Sequence, residues 1–173
     1  MGDRHFQVLR PPGQPRTVGK QGLSGFIVRS DIDRHAVRSY LYLLVSGIEM
    51  LLAEIVKSAI PEDRITASIR GSLREAYDQA RAGGQETSPA EYLFIGELVK
   101  LFNQTDYANR PDLWDSSSSQ LLMKVKGFRN SVMHPVRSIA VDENLEIAAH
   151  MPGWTAVIAD RLHVIITSLK AKG

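Results

Sequence analysis

The chain has 173 residues and a formal net charge of +2, a length that suits one globular domain and a charge too small to bind nucleic acid without a local basic patch. It contains no cysteine, which excludes disulfides and cysteine chemistry and suits a reducing compartment. No apolar run approaches the roughly 18 residues of a transmembrane helix and no signal-peptide core follows Met1, so we expect a cytoplasmic protein that does not enter a membrane.

Residues 1–33 differ in composition from the rest of the chain. Prolines and glycines surround two short apolar segments, 6–9 and 23–28. Frequent proline and glycine around short apolar segments are typical of turns and short strands. We therefore expect an N-terminal arm of β-like character over 1–33, followed by a helical unit over 34–173.

Helical periodicity begins after the arm. Apolar residues recur every three or four positions over about 34–60 and predict a long amphipathic helix that ends before Pro61. Its apolar stripe is broad enough to contact two neighbours, or one neighbour and a second subunit. A second helix is predicted up to Gly83. The segment 88–91 (Ser-Pro-Ala-Glu) has the pattern of a capping box and predicts the start of a third helix.

The C-terminal half contains two further helices by the same criteria. Residues 104–116 are predicted to be a loop, and a fourth helix follows from the serines 116–119 through Phe128 and Val132. A less periodic stretch over 136–151 precedes a last helix from about Gly153. The predicted fold is all-α: a bundle of about five helices with a short N-terminal β-like arm.

The end of the fourth helix carries a notable group of polar residues. Arg129 is followed at once by Asn130 and, five positions after the arginine, by His134 and then Pro135. A guanidinium that binds phosphate, an amide that orients its partner and a side chain that exchanges protons near neutral pH are the groups a metal-free ribonuclease needs. The flanking cations Lys124, Lys126 and Arg137 are predicted to bind the substrate.

This pattern, with arginine, asparagine, three residues, histidine and proline, resembles the signature of the HEPN superfamily (higher eukaryotes and prokaryotes nucleotide-binding). The family pattern is an arginine, usually followed by a polar residue, and a histidine after four to six residues. The resemblance implies a helical bundle over most of 34–170 and a metal-independent endoribonuclease that cleaves RNA through attack of the 2′-hydroxyl. It also implies a homodimer in which Arg129, Asn130 and His134 of both chains face one cleft.

Two interpretations of the motif stay open. The first is the endoribonuclease, which the resemblance also places in toxin–antitoxin or antiphage systems; an antitoxin or another protein would then be its partner. The alternative is a non-catalytic helical module for nucleotide sensing or protein interaction. Cations in the last turn, asparagine as a cap and proline beyond it are also ordinary features of a helix end.

The N-terminal arm raises a second resemblance. Residues 23–32 are similar to the closing strand and helix start of a CBS domain, a module that often binds adenine nucleotides, with Gly25 at the start and Asp31 in place of the ribose-binding aspartate. Val28 departs from the pattern, since a hydroxyl residue is expected there. A whole CBS domain is longer than this arm, so the resemblance implies a remnant or a truncated piece, and a plain β-hairpin is the alternative.

No other residues form a convincing site. Glu49 lies beside the apolar stripe of the first helix, where it could approach the cleft as an auxiliary residue. The histidines and carboxylates show no metal-ligand spacing, so we expect neither a metal nor a cofactor. The Gly83-Gly84 pair lacks the strand and the lysine of a phosphate-binding loop.

Overall fold

A computed structural model of the chain describes residues 35–133, 139 and 142–171. This part of the chain contains no strand and confirms the all-α class. Residues 1–34 lie outside it, so the β-like arm and the CBS resemblance stay predictions. Six α-helices follow one another: α1 (His35–Ala59), α2 (Glu62–Ala67), α3 (Ser72–Ala82), α4 (Ile95–Phe102), α5 (Ser116–Met133) and α6 (Asp142–Lys170).

Helix α1 is the centre of the bundle and packs against α4, α5 and α6. Its buried residues recur every three or four positions, as the apolar stripe predicted: Leu41, Val45, Ile48, Leu52, Ile55 and Val56. Of the described helices, α1 alone is long and apolar enough to cross a membrane, a property that core helices of soluble proteins share. Its bounds match the predicted helix over 34–60 closely.

The predicted second helix is divided into α2 and α3, which raises the number of helices from about five to six. The break falls at Gly71, whose φ of 57° lies in the left-handed region. Glycine adopts this conformation without the steric cost that a Cβ imposes, so the chain changes direction here before α3 begins. Apolar residues follow a helical period on both sides of Gly71, so the sequence alone predicted one continuous helix.

The third helix starts later than the sequence predicted. The Ser88 hydroxyl accepts the N–H of Ala90 (3.3 Å) and opens only a short 3-10 turn, Pro89–Tyr92. The carboxylate of Glu91 accepts the hydroxyl of Thr87 (3.3 Å), so Ser88 and Glu91 do not form a capping box around one helix. The backbone is extended at Leu93 and Phe94, Leu93 is buried, and α4 begins with the buried Ile95.

The last helix starts earlier than predicted and includes Pro152. Proline lacks the N–H that continues the helical ladder and usually ends a helix, which is why the sequence favoured a start near Gly153. Burial of the preceding residue outweighs this loss here, since Met151 is completely buried in the core. The Thr155 hydroxyl lies within hydrogen-bond distance of the carbonyls of Met151 (2.7 Å) and Pro152 (3.2 Å).

Helix α5 occupies the range that the sequence predicted, and a single carboxylate defines its start. Asp115 accepts the N–H of Ser118 (2.7 Å) and pairs with Arg161 of α6 (3.2 Å). These contacts, the N–H of Ser118 foremost, hold the pKa of the Asp115 carboxyl below its ordinary value. The N-terminus of α5 is thereby attached to α6, and its C-terminal half extends to the Arg129 motif.

Candidate functional site

Helix α5 is rich in basic residues. Its sequence contains Lys124, Lys126 and Arg129 and no acidic residue. Lys124 and Asn130 are exposed, whereas Lys126 and Arg129 are partly buried. The helix therefore presents positive charge that neighbouring acidic residues of α5 do not neutralise.

Arg129 is held from two sides. Its Nε–H donates to Oε1 of Glu49 (3.4 Å), and its guanidinium carbon lies 4.7 Å from the ring centroid of Phe94. The side chain is only 13% exposed. Among the described residues, neither terminal nitrogen of the guanidinium has a hydrogen-bond partner, so the two-pronged end that binds phosphate oxygens is not occupied by them.

Glu49 connects three helices through one oxygen atom. The Oε1 atom that pairs with Arg129 of α5 also accepts the N–H of Ile95, the first residue of α4 (3.3 Å). Glu49 itself belongs to α1, and its side chain is 21% exposed. The carboxylate satisfies a free N–H at a positive helix end and at the same time fixes the direction of the arginine. Glu49 does contact Arg129, and whether it assists a reaction stays a prediction.

Two further side chains support this arrangement. Arg38 donates from Nη1 to the carbonyl of Ser131 (3.1 Å), in the last turn of α5, where a cation is favoured. Phe94 is 49% exposed although it is a large apolar residue. The sequence analysis identified neither Arg38 nor Phe94. Arg38 lies on the same face of α1 as Glu49, and this spacing is a weak sign that it approaches the same site. No pattern in the sequence indicates a role for Phe94.

The structure separates Lys124 from Arg129. Five residues of helix turn the two side chains about 140° apart around the axis of α5. Lys124 faces α6, where its Nζ lies 4.8 Å from the ring centroid of Trp154. Lys126 lies near Gly96 at the start of α4, where its Cε is 4.0 Å from the position that a Cβ on Gly96 would occupy. The predicted substrate-binding lysines thus lie on two sides of one helix.

His134 and Arg137 lie outside the described residues, so their predicted roles are untested. His134 directly follows Met133, the last residue of α5. Within the described part of the chain, no group of three or more histidine, aspartate or glutamate side chains is arranged to hold a metal ion. Two clefts there, of about 440 and 420 Å³, are lined by other residues and not by Arg129. In the described part of the chain, the candidate site is a surface of α5.

Comparisons with protein-family models, with curated proteins and with solved structures find no match to this chain. The resemblance to HEPN proteins therefore rests on Arg129, Asn130 and His134 and on the helical fold.

Proposed function

We propose that this protein is a metal-independent endoribonuclease of HEPN type, active as a homodimer whose site combines Arg129, Asn130 and His134 of both chains. The observation that supports this most is the orientation of Arg129. Glu49 occupies its Nε and Phe94 covers its face, while the described residues leave its terminal nitrogens for an anion. An arginine needed only for folding would more often have these nitrogens paired as well.

The chemistry assigns one role to each residue. The ribose 2′-hydroxyl loses its proton to a histidine and attacks phosphorus, and the bond from phosphorus to the 5′-oxygen breaks as that oxygen gains a proton. The products are a 2′,3′-cyclic phosphate and a free 5′-hydroxyl. Arg129 stabilises the charge on the non-bridging oxygens, His134 exchanges protons, and Asn130 orients the scissile group. Glu49 acts on Arg129 as a positioning residue.

The reaction profits from an acid and a base, whereas one chain supplies one histidine in the motif. A symmetric dimer solves this by bringing two motifs to one axis. The outer face of α5 supports such a contact, since Met123 and Met133 are exposed (50% and 36%) and share that face with Asn130. A Cβ built on Gly127 meets no atom within 4 Å, so a second chain could approach the backbone of α5 closely at this position.

A second candidate is a non-catalytic helical module for nucleotide sensing or for binding a partner protein such as an antitoxin. The shielding of Arg129 favours it, because a side chain 13% exposed and paired with Glu49 also stabilises the junction of α1, α4 and α5. In this interpretation the motif stabilises the fold and a dimer contact, and the protein does not cleave RNA.

The test is RNA cleavage in EDTA by purified protein and its variants. We expect cleavage of single-stranded RNA and a loss of about 10²-fold or more in His134→Ala and Arg129→Ala. The matched controls are His163→Ala, an exposed histidine of α6, and Arg161→Ala, an arginine in a surface ion pair, and both should cleave at nearly the wild-type rate. Circular dichroism confirms that each variant is folded.

Light scattering gives the oligomeric state in the same preparation. A folded wild-type dimer that is inert on varied single-stranded RNAs would support the non-catalytic module. A monomer that cleaves RNA would remove the composite site, because one copy of the motif would then suffice.

A further inference from the structure

A second cluster lies on the other side of α5 and takes no part in the Arg129 arrangement. The Trp154 ring stacks almost parallel to that of His150, with centroids 5.5 Å apart and 13° between the planes. Lys124 of α5 places its Nζ 4.8 Å from the same indole centroid. We call these three residues, Lys124, His150 and Trp154, the stacking cluster.

The stacking cluster is more exposed than the packing of α5 on α6 requires. These helices pack on each other, and each contributes core side chains that are 2% exposed or less: Leu122 and Val125 of α5, Ile158 and Leu162 of α6. Lys124 and His150 are exposed, and Trp154 is partly buried. The exposed ring of the cluster is that of His150, which stacks on the indole, while Lys124 lies over the indole itself. An exposed ring with a cation nearby is the combination on which unpaired bases stack while the cation contacts the backbone.

We propose that the stacking cluster binds a base of single-stranded RNA, with Lys124 contacting a neighbouring phosphate. The inference rests on the proposed function for its choice of RNA, and it gives that function a substrate subsite outside the Arg129 motif. Lys124 and Arg129 are about 7.5 Å apart along the axis of α5. Lys126 lies between the two positions along the helix.

Such a subsite selects unpaired RNA. Bases in a duplex are stacked on their neighbours and cannot reach an aromatic side chain, whereas bases in a loop or single strand can. Because every base has a flat face, the cluster would tolerate any sequence. Substrate choice at this position would therefore depend on strandedness.

Intrinsic fluorescence reports on this cluster directly. The chain has two tryptophans, and Trp114 is buried (3% exposed), so a ligand that stacks on the surface should quench Trp154 alone. The probe is a single-stranded oligoribonucleotide of about ten adenosines, added to His134→Ala protein so that no cleavage occurs. We expect saturable quenching, and no quenching by an RNA duplex of equal length.

Binding of the labelled probe, followed by anisotropy, tests the individual side chains. Trp154→Leu and His150→Ala should weaken single-strand binding by about 5- to 100-fold, the usual contribution of one stacked base. Trp154→Phe keeps a ring and should retain most of the affinity. The matched controls on α6 are His163→Ala and Lys170→Ala, which remove an exposed ring and an exposed cation away from the cluster.

Unchanged affinity in folded Trp154→Leu protein, or binding of the single strand without quenching, would overturn the subsite. The proposed function fails by a different result, since it requires cleavage by the wild type. A protein that cleaves RNA but shows no role for Trp154 loses only the subsite. Saturable quenching without any cleavage retains the subsite and overturns the nuclease.

Discussion

Replacement of Glu49 by alanine should destabilise the fold by about 2 kcal/mol, a large effect for a single polar residue. The change removes the acceptor for the Ile95 N–H, a helix-capping contact that contributes about 1 kcal/mol. It also removes the ion pair with Arg129, whose partners are 13% and 21% exposed. Since this pair is more shielded than a surface pair, we expect about 1 kcal/mol from it.

Two variants separate these contributions. Glu49→Gln keeps an oxygen for the Ile95 N–H and loses the charge, so it should cost about 1 kcal/mol, half the effect of alanine. A double-mutant cycle of Glu49→Ala with Arg129→Ala should give a coupling energy of about 1 kcal/mol. Urea unfolding at pH 7, followed by far-UV circular dichroism, measures the wild type and the four variants. In thermal unfolding, the Tm of Glu49→Ala should fall by about 4–8 °C.

Glu54 provides the matched control. It is also a glutamate of α1, and it pairs with Lys170 (2.9 Å), but the two side chains are 44% and 72% exposed. Glu54→Ala should therefore change the free energy of unfolding by less than about 0.5 kcal/mol. The reasoning is refuted if Glu49→Ala is as mild as Glu54→Ala, or if the cycle with Arg129 shows no coupling.

Three further predictions concern stability. Gly127→Ala should raise the free energy of unfolding by about 0.5–1 kcal/mol, since α5 gains a better helix former and the new Cβ meets no atom within 4 Å; a lower Tm would contradict this. Leu52→Ala, at a fully buried position, should cost about 2–5 kcal/mol in urea unfolding, whereas Leu43→Ala, 66% exposed, should cost less than about 1. The lowered pKa of Asp115 stabilises the fold above the ordinary aspartate pKa, and this contribution disappears as the pH falls through the folded-state pKa. Acid titrations should therefore show wild type losing its advantage over Asp115→Asn below about pH 4, and a difference that stays constant with pH would contradict the assignment.

The helices with one strong apolar stripe were predictable from the sequence. For α1 and α5 the buried residues recur every three or four positions. Pro61 marks the end of α1, and the serines 116–119 mark the start of α5. The all-α class follows from the same pattern. These features depend on residues close together in the chain, which is why no tertiary information was needed.

Helix boundaries were less predictable where distant packing decides them. Pro152 is a strong signal for the end of a helix, yet α6 continues through it with Met151 buried in the core. Ser88 carries the pattern of a helix start, yet extended backbone at Leu93 and Phe94 postpones α4 to Ile95. In both places the free energy of burying apolar side chains exceeds the local preference.

The sequence by itself determined the all-helical fold, the basic character of α5 and the Arg129-Asn130…His134 motif, because composition, periodicity and spacing are written along the chain. Only the tertiary structure decided what surrounds Arg129. Glu49 is separated from it by 80 residues, and its carboxylate reaches the arginine because α1 crosses both α4 and α5. The separation of Lys124 from Arg129 likewise depends on which neighbouring helix each side of α5 meets. Contacts between distant residues depend on how the helices pack, and no local pattern of the chain encodes that packing.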